Sequence, residues 1–187
     1  HSRMTVNFDT GDFVAGEYDA QLNDDFMNLC LYDNLIKLDI KDFYGKLYSH
    51  YLPKGELQDN VFTSLNNGRT GGIIMGNYLS LYFAENALKK ISDDFEMALE
   101  DASVNCHFEY FSDDFYIFCN RYDNEKIRKL FSQVLAENDY EGNEQKIEIE
   151  DYESYNIENL LTRYWKAIMR HWNVEVIKDF ERQEQIG

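Results

Sequence analysis

The amino-acid sequence predicts an α+β fold, an antiparallel sheet with helices packed on one face, and three observations predict it. Short apolar runs bounded by turn residues occur at residues 34–40 and on both sides of Ser112, the pattern of buried strands rather than of helices. Longer stretches between and after them repeat apolar residues every three or four positions, the pattern of helices with one buried face. The order is strand, helix, helix, hairpin, helix, strand, in which paired strands and packed helices alternate irregularly, as they do in α+β domains.

The first strand is "NLIKLDI", residues 34–40, which ends at or near Asp39, and "KDFYGKLYSHYL" after it can turn into a helix. Residues 79–99 form the next helix, with Leu81, Ala84, Leu88, Ile91 and Phe95 at helical spacing. "HFEYF" and "FYIFC" flank Ser112-Asp113-Asp114 as the two strands of a hairpin. In "DNEKIRKLFSQVLAEN" the residues Ile127, Leu130, Phe131, Val134 and Leu135 fall at i, i+3, i+4, i+7 and i+8, an amphipathic helix. "QKIEIE" reads as a strand. A last helix carries Ile157, Leu160, Leu161, Tyr164 and Ile168 on one face, and "VEVI" near the end reads as a short strand.

The 187 residues fit one domain of ordinary size, and 44% hydrophobic with 16% aromatic residues supply a core. One proline and ten glycines leave few break points. The division is an acidic N-terminal segment over residues 1–34, a central unit over 35–150 and a helical extension over 151–187, with His1-Ser2-Arg3 read as vector residues ahead of Met4. No run reaches the roughly 18 apolar residues of a membrane span and no signal segment opens the chain, so a cytoplasmic location and no membrane partner are expected. Cys30, Cys106 and Cys119 are odd in number and lack metal-type spacing, as reduced core cysteines do. A formal net charge of -17 argues against a free-standing nucleic-acid binder, because that binding rests on clustered Lys and Arg. The charge is uneven, however. Residues 4–36 hold seven acids and no Lys or Arg, whereas Lys37, Lys41, Lys46 and Lys54 cluster around Asp39 and Asp42.

The stretch "HFEYFSDDFYIFCN" places two adjacent aspartates, Asp113 and Asp114, inside an aromatic run. A tight turn between two buried strands accommodates them, and an Asp-Asp pair in a turn also serves simply to cap backbone amides. Setting the strand that ends at Asp39 beside this hairpin brings three carboxylates to one end of the sheet. Packed like charges resist ionisation unless a cation intervenes. Oxygen-only ligands suit Mg²⁺ or Mn²⁺, and two such ions serve nucleotidyl transfer, activating a hydroxyl and stabilising the leaving pyrophosphate.

In this combination and order, the motifs resemble the palm of a reverse transcriptase. "LDIKDFY" resembles motif A, "GIIMGNYLS" motif B, "FSDD" motif C and "NEQKIEI" motif D. Motifs A and C are the most specific, and the resemblance covers about residues 35–149. It implies a polymerase palm with a ferredoxin-like core, and DNA polymerisation from dNTPs with two Mg²⁺ or Mn²⁺ ions. It implies that Asp39, Asp113 and Asp114 are catalytic metal ligands and that Ile40 lends its carbonyl to the second ion. Phe43, Tyr44, Gly72, Met75, Gly76 and Lys146 would be nucleotide-binding, with Lys146 matching a lysine near the incoming triphosphate. Tyr44, five residues after Asp39, would pack on the sugar and exclude a 2′-hydroxyl, although Phe43 and Tyr44 also read as core aromatics, Gly72 and Gly76 as turn glycines and Lys146 as a solvated lysine.

Met75 stands where the family has glutamine, and Ile74 where it has proline. The amide that would sense the template pair is therefore replaced. That change and the "SDDFYIF" continuation look most similar to bacterial retron-like enzymes and to the abortive-infection reverse transcriptases of phage defence. For those enzymes the resemblance implies polymerisation that can be untemplated and primed from a protein hydroxyl. Expected partners are dNTPs with a nucleic-acid template and primer, or a protein primer, and a homo-oligomer stays open. The rival expectation is a palm-fold scaffold or sensing module without catalysis, which the acidic charge favours. A nucleotide cyclase on a similar palm is the weaker third, because its usual turn is Gly-Gly-Asp/Glu-Glu-Phe.

Overall fold

A computed structural model describes residues 2–7, 9–10, 13–15, 18–47 and 78–184, with side chains placed over most of them. The chain opens on a two-stranded antiparallel ribbon, β1 (Met4–Val6) with β2 (Phe13–Ala15), followed by helix α1 (Tyr18–Leu31). Strand β3 (Asn34–Asp39) leads into the single turn α2 (Phe43–Lys46). Helix α3 (Tyr78–Asp101) precedes the hairpin of β4 (Cys106–Phe111) and β5 (Asp114–Cys119). A 3₁₀ turn, Arg121–Asp123, opens helix α4 (Asn124–Glu137), and a second, Glu144–Lys146, precedes β6 (Glu148–Glu150) and helix α5 (Tyr152–Glu184).

The main sheet has the order β4-β5-β3-β6, and both β3 and β4 pair antiparallel with β5. Side chains alternate across it. On one face Ile36, Leu38 and Ile40 of β3 and its exit, Phe115, Ile117 and Cys119 of β5, and Phe108 and Tyr110 of β4 join the core. Helices α3 and α4 supply its other half, with Leu88, Ile91 and Phe95 meeting Ile127, Phe131 and Leu135. Phe95 is the hub, its ring 5.2 Å from those of both Phe108 and Phe131. The i, i+3, i+4 spacing expected of both helices is what buries these residues.

The opposite face carries Leu35, Lys37 and Asp39 on β3 and Asp114, Tyr116 and Phe118 on β5. Leu35 and Phe118 are fully buried there. Arg3 bridges this face to α1: its guanidinium pairs with Asp25 of α1 at 2.5 Å and Glu109 of β4 at 2.9 Å, and lies over the Tyr116 ring. Helices are therefore not confined to one face, which departs from the expectation. The Arg3 side chain is 8% exposed and structurally employed, although the sequence alone read residues 1–3 as vector residues.

Two expected strands take other forms. "VEVI" continues the helix α5, because nothing between Tyr152 and Glu184 breaks its ladder. "QKIEIE" divides into the 3₁₀ turn at Glu144–Lys146 and a three-residue strand. "KDFYGKLYSHYL" contributes only the four residues of α2 among those described.

The chain divides into two compact units, residues 1–149 and 150–187. Within the second, Ile157, Leu160, Leu161, Tyr164 and Trp165 of α5 are exposed. Among the described residues no helix is long and apolar enough to cross a membrane.

Candidate active site

The register of the sheet builds the site. Asp39, the last residue of β3, is the direct partner of Asp114, the first residue of β5. Asp113 lies one residue earlier, in the two-residue turn between β4 and β5, where Ser112 takes the positive φ of 55° that tight hairpin turns demand. The backbone stitches turn to strand, since the Ile40 amide donates to the Asp113 carbonyl at 3.1 Å.

Ile40 is fully buried, and the ladder fixes where its own backbone points. Lys41 N–H donates to the Glu141 carbonyl and Asn143 N–H to the Asp39 carbonyl, flanking the Ile40–Gly142 bridge. In such a pair the central residue directs its N–H and C=O away from that partner strand. The Ile40 carbonyl thus faces the side of the aspartate turn, which is where an oxygen ligand is useful.

Asp114 is half-buried, and its carboxyl is pushed up to about 6, chiefly by burial, then by the charges of Asp113 and Asp39 and a hydrogen bond with Asp39, against the opposing pull of Lys146. Asp39 itself is buried. Its Oδ1 accepts from the Lys146 ammonium at 2.5 Å, and this bond, with the fields of Asp39, Asp114 and Asp113, holds the lysine above its ordinary range. Asp39, Asp113, Asp114 and Lys146 thus feel one another's charge. The sequence led us to expect the three carboxylates at one end of the sheet, and the contact of Lys146 with Asp39 is an addition of the fold.

On the other side, Ser112 Oγ donates to Asp113 Oδ1 at 2.9 Å and lies 3.2 Å from the Tyr44 hydroxyl. A chain from Tyr44 through Ser112 to Asp113 fixes the carboxylate. Ser112 was missed by sequence reasoning, which assigned roles to the two aspartates of the turn and none to the serine. Its hydroxyl beside an acid was the available signal. Arg128 was missed too. It ties α4 to the turn that bears Lys146 through Glu144 at 3.0 Å, and with Asn143 it lines a small cleft beside Asp39.

Tyr44 is half-buried at the rim. Phe43 is 1% exposed and packs in the core against Tyr140, with its ring edge-on to Tyr44. Phe43 therefore supports the site from beneath, and the surface open to a ligand at this point is that of Tyr44. Gly72, Met75 and Gly76 lie outside the described residues. Ser80, at the end of the same motif, is buried near the start of α3.

Among the described residues, no three acidic, histidine or cysteine side chains already surround one point as a closed ion cage. The donor set nevertheless has the chemistry of a hard-cation site. Mg²⁺ is typically held by one or two carboxylates and completes its shell with water and substrate phosphate. Asp39 and Asp114 in contact, with Asp113 and the Ile40 carbonyl beside them, meet that requirement without a full cage. No protein-family model matches the chain, and no curated protein matches it.

Proposed function

We propose that this chain is a nucleotidyl-transfer palm, similar to that of a reverse transcriptase, which adds dNTPs to a hydroxyl group in bacterial antiphage defence. The observation that carries the reading is the register that sets Asp39 directly opposite Asp114, with Asp113 in the adjoining turn. An acid pair of this kind is expensive to keep without a ligand, since desolvation and mutual repulsion both disfavour the charged form.

Asp39, Asp113 and Asp114 with the Ile40 carbonyl would hold two Mg²⁺ or Mn²⁺ ions, which supply Lewis-acid activation of the attacking hydroxyl and of the departing pyrophosphate. The chain's own groups prepare that site. Ser112 and Tyr44 hold Asp113 in one orientation. The half-buried Tyr44 ring narrows the rim where a sugar would lie, which favours deoxyribonucleotides. The acceptor would be a nucleic-acid primer, templated or not, or a protein hydroxyl.

The test is incorporation of labelled dNTPs with Mg²⁺ or Mn²⁺, with and without a primed template, on gels that resolve nucleic acid and protein. Asp113→Asn should abolish incorporation while leaving the far-ultraviolet circular dichroism and thermal midpoint nearly unchanged, because the residue sits in a half-exposed turn. Undiminished label in that variant overturns the assignment. Label that migrates with the protein identifies a protein primer.

A second reading, a non-catalytic palm-like scaffold in a larger defence assembly, is favoured by the net charge of -17, which repels a nucleic-acid backbone. It requires that the chain take up no divalent ion at the aspartates.

A further inference from the structure

Lys146 carries an inference beyond its expected place near a triphosphate. Its ammonium sits on Asp39, the one acid of the three that is nearly sealed from solvent: the Asp39 side chain is 6% exposed, that of Lys146 62%. The lysine therefore caps a buried carboxylate from its solvent side. Its turn is anchored at two points. Asn143 N–H donates to the carbonyl of Asp39 itself at 2.8 Å, and Lys146 N–H donates back to the Asn143 carbonyl at 3.0 Å. From the other direction Arg128 of α4 holds Glu144 at 3.0 Å.

The oxygen that accepts from Lys146 belongs to the carboxylate that a divalent ion would use. An ammonium at hydrogen-bond distance and a divalent cation on the same carboxylate repel each other strongly in a partly desolvated site. We infer that Lys146 is a built-in counter-ion of Asp39, which a divalent cation must displace in order to load the site. The lysine thereby compensates part of the negative charge while the ion is absent and sets a threshold concentration for loading. Its long, exposed stem allows it to swing outward on displacement without disturbing the anchored turn. The inference rests on the reading of the aspartates as an ion site, and it concerns the regulation of that site.

The experiment is a Mn²⁺ titration of the full chain, with free ion followed by electron paramagnetic resonance, on the wild type, Lys146→Met, Asp39→Asn and Lys41→Met. Lys41 is a control for simple loss of a positive charge: it is 62% exposed, near the site, and its ammonium faces Glu141 instead of the aspartates. Lys146→Met should bind Mn²⁺ more tightly, on the order of threefold to tenfold, as removal of a competing charge-assisted pair predicts. Lys41→Met should change affinity less than about twofold, because an exposed charge is screened. Asp39→Asn should lose the uptake. Equal or weaker binding by Lys146→Met, with uptake still lost in Asp39→Asn, overturns the counter-ion and leaves the ion site standing. Equal tightening by Lys41→Met also overturns it, in favour of a general field. No Asp39-dependent uptake by any of the chains overturns both the inference and the reading beneath it.

Discussion

Glu85 shows how a single residue records the cost of its surroundings. It lies half-buried on α3, where Ser2 Oγ and the Tyr110 hydroxyl donate to Oε2 at 3.3 and 3.4 Å, while Oε1 is buried with no hydrogen-bond partner among the described residues. Burial raises its pKa more than the two hydrogen bonds lower it. A carboxyl whose pKa is higher in the folded state binds its proton better there, so its contribution to stability is complete below the unfolded value near 4.5 and is lost as pH rises through the folded value. Glutamine keeps the shape and the acceptor oxygen without the charge. Glu85→Gln should therefore raise the thermal midpoint, by a margin that grows as the pH is raised from about 5 to about 8. A margin that shrinks over that range would show that the ionised carboxylate is a stabilising partner. The same physics acts at Asp114, where the charges of Asp113 and Asp39 add to burial.

At the scale of elements, the hairpin and the two core helices were legible because each is specified locally and globally at once. The β4-β5 strands alternate aromatic residues around a turn, and the α4 stripe of Ile127, Phe131, Val134 and Leu135 is buried as its spacing demands. Phe95 tests how far the packing depends on this agreement, since it contacts a strand residue and a helix residue together. Phe95→Ala should cost about 3–5 kcal/mol in denaturant unfolding, against less than about 1 kcal/mol for the exposed Phe111→Ala. Similar small losses for both would mean that the contact among the two helices and the sheet is not part of the cooperative core. The parts that were not legible depend on long-range partners. Nothing local in "HSRM" announces that Arg3 will meet Asp25 and Glu109, and the β-branched residues of "VEVI" read as strand until an uninterrupted helix on their N-terminal side carries them along. In the candidate site the approach of the three acids was legible from the order of strand and hairpin, whereas the Lys146–Asp39 pair, Ser112, Asn143 and Arg128 depend on contacts that only the fold creates.

At the scale of the whole molecule, stability should be unevenly spread. The continuous core of the first unit runs from Ile36 to Leu135 among the described residues, with Ile147 packed at its margin. β3 pairs with β5 over all six residues of each strand, and β4 does the same, so their amides are released only when the sheet itself opens. The 33-residue α5 instead exposes Leu160, Leu161, Tyr164, Trp165, Met169 and Trp172. A helix without a large buried face depends on its own propagation, which is marginal in water, and it opens locally. Native-state hydrogen exchange should thus find the amides of Phe115–Cys119 protected to the level of global unfolding, and those from Leu160 to Trp172 exchanging at least about a hundredfold faster. If both segments exchange together by global opening, α5 is part of the folding unit and its apolar side chains are covered in solution. If they separate as expected, the aspartate site stands on the rigid sheet, and its geometry is independent of the helix that follows.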